Sequence, residues 1–121
     1  MKAELHWEGK ALIARLSEMD LSGNESMGEP LRIISDAQAS EVVLDCSQVP
    51  FIASPGIANL IKFIQHIRRN GGSVRLAALS PHVQRLLELV NLRKWVPFYG
   101  TVSDALEAAE KLTAYQLGAG I

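Results

Sequence analysis

One cysteine, Cys46, stands in the whole chain, so no internal disulfide can staple the fold. That usage fits a reducing cytoplasm, which is the expected location. Aromatic residues make up 6% of the sequence, and the formal net charge is -1. Such a chain has neither a row of base-stacking platforms nor a global basic field, so nucleic acid is not an expected partner. No apolar run approaches the roughly 20 residues needed to cross a bilayer. Met1-Lys2-Ala3-Glu4 also lacks a signal-type apolar segment, so no direct membrane insertion is expected. His6, His66 and His82 lie in separate segments, none at ligand spacing with another His, Cys or carboxylate. No metal site is expected. Gly71-Gly72 is followed by no lysine–serine pair, so it is not a phosphate cradle. No nucleophile, base and orienting group come together in the pattern, and neither an enzyme nor a cofactor is expected.

What the chain does have is ordinary globular material. Its 121 residues are 48% hydrophobic and 21% charged, enough for one domain with a real core. Ala3 to Trp7 and Ala11 to Leu16 read as two strands joined at Glu8-Gly9-Lys10, a hairpin. Ser17 to Asn24 is polar and loop-like. Ser26-Met27-Gly28-Glu29 has capping-box spacing and opens a helix expected to run to Gln38. Glu41 to Cys46 is a compact, β-branched strand of the kind that helices cover on both faces.

The stretch Val49-Pro50-Phe51-Ile52-Ala53-Ser54-Pro55-Gly56 joins that strand to the strongest helical signal in the chain. Ile57, Leu60, Ile61, Ile64 and Ile67 recur at helical spacing, Arg68 and Arg69 suit the negative end of the dipole, and Gly71-Gly72 stops the helix. Ser54 falls where an N-cap belongs, and Pro55 falls at the first helical position. A hydroxyl at a helix N-terminus faces free N–H groups, a favourable place for an added negative charge. The plain reading is a cap alone.

Ser73 to Ala78 is a further strand, and Ser80-Pro81 repeats the cap-then-proline device before Val83, Leu86, Leu87 and Val90. Trp95 to Tyr99 reads as a short edge strand because it contains Pro97. Thr101 or Ser103 caps a last helix to about Leu112, with Tyr115 to Ile121 a loose tail. Asp45 ends its strand either as a binding-site carboxylate or as an acceptor for the following turn. Cys46 reads as a small apolar filler. Lys62, Arg68, Arg69 and Arg75 read as a solvated basic face. Alternating strands and helices after the hairpin predict an α/β layer fold with a mixed sheet.

Four stretches carry a family resemblance. They are Val42-Val43-Leu44-Asp45-Cys46-Ser47, Phe51 to Ile57, Gly71 to Leu76, and Leu79 to Leu92. In this order they resemble the STAS domain of bacterial anti-sigma factor antagonists and their relatives. The resemblance implies a mixed four- or five-stranded sheet with helices mainly on one face, a domain over 1-113, and a tail over 114-121. It implies a protein-binding switch that docks a kinase-type anti-sigma factor, with Ser54 as phosphoacceptor and a PP2C-type phosphatase to reverse the mark. The implied contact set is Asp20, Pro50, Ala53, Ser54, Gly56, Ile57 and Asn59. Two positions depart from the family pattern: Ala53 stands where Asp is usual, and Pro55 where Ser or Thr is usual. These departures suit the alternative of an unphosphorylated STAS scaffold, such as an accessory subunit of a lipid-transport ABC system or of a stressosome-like assembly. A nucleotide-binding enzyme is a third reading, and the missing phosphate cradle counts against it. Oligomeric state is left open.

Overall fold

The computed structural model describes residues 4–17, 34, 37 and 39–119, with side chains described for all of these except 17 and 111–119. The loop expected over Ser17 to Asn24 and the helix expected over Ser26 to Gln38 lie almost wholly outside the described residues. Ile34, from that helix, is helical and buried.

Five strands form one sheet in the order β1 (Glu4–Glu8), β2 (Ala11–Ser17), β3 (Glu41–Gln48), β4 (Ser73–Ala77), β5 (Phe98–Tyr99). β1 and β2 pair antiparallel, as a hairpin must, and every later pair is parallel. Glu8 lies opposite Ala11, so the hairpin loop is Gly9-Lys10. Gly9 there takes φ 60, a left-handed conformation that only glycine adopts freely. Three α-helices pack on the sheet among the described residues: α1 (Ser54–Arg69), α2 (Pro81–Leu89) and α3 (Val102–Ala119). A 3-10 turn, Leu92–Lys94, follows α2.

Alternation along the strands sorts two cores. Leu12, Ala14 and Leu16 of β2, Val42, Leu44 and Cys46 of β3, and Val74 and Leu76 of β4 face α1 and α2. Val43 and Ala77 face the other way and meet Ala105 of α3. Two of the three helices thus share one face, and the small residues opposite let α3 approach the second.

Several local readings need correction. α1 turns Phe63 fully inward together with Leu60, Ile64 and Ile67, while Ile57 and Ile61 are only partly buried. Phe63 was absent from the expected stripe because the period fixes spacing, whereas the sheet and the neighbouring helices fix the rotation. β5 shrinks to Phe98–Tyr99, since Trp95 is drawn into the C-terminal end of the 3-10 turn, donating its N–H to the Leu92 carbonyl at 2.9 Å. α3 continues past Leu112 to Ala119 through Thr-Ala-Tyr-Gln-Leu, a run without a breaker. Arg75 leaves the expected basic face: it is buried and donates through Nη1 to Glu41.

The helix stop is as the glycine pair suggests. Gly71 takes φ 83, its N–H donates to the Arg68 carbonyl at 3.1 Å, and the Gly72 N–H donates to the Ile67 carbonyl at 2.9 Å. That is the Schellman pattern. A Cβ at Gly72 would stand 2.8 Å from Ile67 Cγ2.

Truncation of the α1 core should be severe. Leu60→Ala is expected to cost about 2–5 kcal/mol and Phe63→Ala about 3–5 kcal/mol, read from urea denaturation. A loss below about 0.5 kcal/mol at either position would mean that the helix is rotated away from this phase.

Candidate functional site

The C-terminal ends of β3 and β4 carry two loops that lead into α1 and α2, the edge where open α/β sheets place ligands and partners. After β3 the chain turns at once, the Val49 N–H donating to the Cys46 carbonyl at 3.0 Å. Val49 and Ile52 plug into the core, which leaves Pro50 and Phe51 outside. Phe51 is 51% exposed, an aromatic ring held beside the helix start by its buried neighbour Ile52.

α1 begins differently from the expectation. Its N-cap is Ala53, in extended conformation at φ -96 and ψ 169, and the Ala53 carbonyl accepts the first helical bond from the Ile57 N–H at 3.0 Å. Ser54 is therefore the first helical residue and Pro55 the second. The reason is geometric: the chain between buried Ile52 and half-buried Ile57 closes its first turn one residue earlier than the cap-then-proline pattern suggests. No acidic side chain stands in the first turn. Ala53, Ser54 and Pro55 are exposed, and Ile57 is half-buried. Gly56 and Asn59 are on the inner side of the helix and are buried. Asp20 lies outside the described residues. Of the expected contact set, Pro50, Ala53 and Ser54 are exposed and Ile57 is half-buried, with exposed Phe51 beside them in the chain.

The two loops are tied together by one hydroxyl. Ser80 Oγ accepts from the Val83 N–H at 3.2 Å, capping α2, and donates to the Pro50 carbonyl at 3.0 Å. The cap was legible in Ser80-Pro81, whereas its grip on a turn 30 residues earlier was not.

Asp45 does not join this surface. Strand alternation puts it on the α3 side with Val43. Its carboxylate accepts from the Ser47 N–H at 3.0 Å and from Arg15 Nε at 3.2 Å. Burial pushes its pKa up, but Ser47, through its N–H and its side chain, and then Arg15 outweigh burial, so the carboxyl sits below its ordinary value. Of the two readings of Asp45, the turn acceptor fits. Cys46 is buried, and burial, with the charge of Asp45 adding to it, pushes its thiol up to about 12. A thiol so protonated is no nucleophile at neutral pH.

The arrangement brings together a helix start, an exposed ring, and a hydroxyl in the first turn of α1. The STAS domain model matches residues 9–105, and the chain belongs to the STAS family. Over 112 residues it is 27% identical to an anti-sigma F factor antagonist from Paenibacillus polymyxa, covering 91% of this chain and 96% of that one. Its fold resembles the crystal structure of an anti-sigma factor antagonist from Mycobacterium paratuberculosis, with TM-score 0.74, 22% identity, and coverage of 88% of this chain and 92% of that one. It also resembles a chain of the stressosome, with TM-score 0.78, 16% identity, and coverage of 91% and 98%.

Two outcomes follow. Ser80→Ala should lower stability by about 1–2 kcal/mol, since it removes a helix cap. It should also shift the amide signals of Phe51 and Ile52 in a nitrogen–proton NMR spectrum. Unmoved signals would mean the hydroxyl does not hold the Pro50 turn. For Asp45 the folded pKa lies below the unfolded one, so its charge stabilises the fold above the ordinary carboxyl pKa. That contribution is lost as pH falls through the folded value. The stability gap between wild type and Asp45→Asn should therefore shrink steadily in denaturation series from neutral pH down into the acid range. A gap that is constant with pH would remove the charge from the account.

Proposed function

We propose that this chain is an anti-sigma factor antagonist: it docks a kinase-type anti-sigma factor on the α1 N-terminal surface, and phosphorylation of Ser54 ends that contact. The observation that carries the reading is Ser54 itself, exposed in the first turn of α1 where the family has its phosphoacceptor serine. Similarity to the Paenibacillus antagonist over nearly the whole chain supports the same partner class.

The physics of the switch is direct. A phosphoserine carries about -1.5 to -2 charges at neutral pH. In the first turn of a helix that dianion meets the positive end of the macrodipole and the free N–H groups, so the modified protein keeps its fold. Pro55 removes one of those donors, and Gly56 keeps its own. On the outside, the same charge and bulk land between Pro50, Phe51 and Ile57, where a partner would pack. Release then follows from desolvation and steric conflict, not from unfolding. A PP2C-type phosphatase restores the docking state. ATP belongs to the kinase; this chain needs no cofactor, performs no catalysis and works in the cytoplasm.

A second reading is a STAS scaffold that is never phosphorylated. Ala53 favours it, because no carboxylate precedes the hydroxyl to orient it, and likeness to the stressosome chain gives it a structural setting. The nucleotide-binding reading fares worse, since Gly71-Gly72 is used up as a helix end.

The test is incubation with the cognate kinase and ATP, with phosphate mapped by mass spectrometry. Label is expected on Ser54, none on Ser54→Ala, and faster labelling of Ala53→Asp. In titrations with the kinase, Ile57→Arg should weaken binding about tenfold or more, as loss of a central interface anchor does. An active kinase that leaves wild type unlabelled, while Ser54→Ala binds it as wild type does, would hand the function to the scaffold reading.

A further inference from the structure

Between Asp45 and Glu88 the sequence contains no Asp or Glu, yet it contains Lys62, Arg68, Arg69, Arg75 and Arg85. This acid-free stretch builds all of α1, β4 and most of α2. Arg75 is buried on Glu41, so the free positive charge of the stretch is on the helices.

At the C-terminal half of α1 that charge borders a groove of about 420 Å³. Ile64 and Leu92 are its buried floor, half-buried Ile61 lines one wall, and Val90 and Trp95 line the other at 45% and 64% exposure. Leu89, 73% exposed, lies next to Val90. Arg68 and Arg69 stand on the rim, and among the described residues no carboxylate lines the groove. Arg68 is 5.4 Å from the centroid of the Trp95 ring and donates to the Trp95 carbonyl at 3.4 Å, so it braces that wall. Arg93 is occupied by Glu88 at 3.3 Å. Arg68, Arg69 and Lys94 make no ion pair among the described residues.

We propose that this groove docks an acidic amphipathic helix of a partner protein. Its apolar side chains, spaced i, i+3 and i+4, would fill the slot between α1 and the 3-10 turn. Its carboxylates would meet Arg68, Arg69 and Lys94. The slot runs about 12 Å from Ile61 to Arg69 at 1.5 Å per residue, room for two turns of such a helix. The occupant is acidic because Arg68 and Arg69 rim an apolar floor, with Lys94 next in the chain to the lining residue Trp95, and none of the three has an acidic partner among the described residues. That arrangement favours carboxylates and repels Lys and Arg. A second copy seated groove to groove would set like charges against each other. The groove begins about 10 Å along α1 from Ser54 and its cations Arg68 and Arg69 stand about 20 Å away, so its charged rim is separate from the phosphorylation reading.

The test uses Trp95 as reporter in a Trp7→Phe background. A displayed library of helical peptides of roughly 18 residues, about five turns, is selected on the protein, with Arg69→Glu/Lys94→Glu protein as counter-selection. Both substituted residues are exposed, so folding is retained, which circular dichroism checks. Enriched peptides should pair Asp or Glu with an apolar stripe and shift Trp95 emission to the blue. Their affinity should fall about tenfold or more in the Glu variant, while Ser54→Asp binds them as before. The proposal is overturned if enriched peptides are not acidic, or if the Glu variant binds them equally well. It is also overturned if Trp95 responds instead to the protein's own concentration or to a single-stranded oligonucleotide. Loss of peptide binding in Ser54→Asp would merge the two sites and sink their independence.

Discussion

β3 is buried on both faces, and that single constraint organises the rest of the molecule. Val42 to Cys46 are all buried, so helices must lie above and below this strand. Its side chains alternate between a large core under α1 and α2 and a small one under α3. A slip by one residue would send Asp45 into the larger core and Leu44 out of it. Arg15 and the Ser47 N–H hold the carboxylate where it is and so help lock the register. The turn after β3, and hence the start of α1, takes its position from that lock.

α1 then carries two different polar surfaces on one rigid rod. Its N-terminus offers backbone donors, a hydroxyl and an exposed aromatic neighbour, with no acidic side chain in the first turn. Its C-terminus offers His66, Arg68 and Arg69 and is closed by the Gly71-Gly72 motif. Half-buried Ile57 and Ile61 link the two ends along one stripe. A helix transmits position well, yet charge at one end is largely screened at the other, since about 20 Å exceeds the Debye length in physiological salt. The switch proposed at one end and the docking proposed at the other can therefore act separately.

Buried polar groups show the same economy. Arg75 sits against Glu41 at the start of β3, and Asp45 sits against Arg15 near its end. Both pairs lie on the α3 side, where the apolar core is small. The Arg75–Glu41 pair is largely buried, so it is costly to desolvate and stabilises little beyond its apolar replacement, but removal of one partner strands the other. Such pairs specify which strand lies beside which.

Local chemistry was written in the sequence, because each device involves residues that are neighbours in the chain. The Gly9 hairpin, the β-branched run of β3, the Ser80-Pro81 cap and the glycine stop of α1 all depend on such neighbours. The family and the alternation of strands and helices were legible for the same reason. Ser54 was legible as the residue at the head of α1, but its role as first helical residue, behind Ala53 as cap, came from how Ile52 and Ile57 anchor the turn. The inward rotation of Phe63, the burial of Arg75 on Glu41, the reach of Ser80 to Pro50 and the groove beside Trp95 were decided only in three dimensions. Each depends on packing between segments tens of residues apart, and periodicity along one segment carries no information about what its neighbours bring.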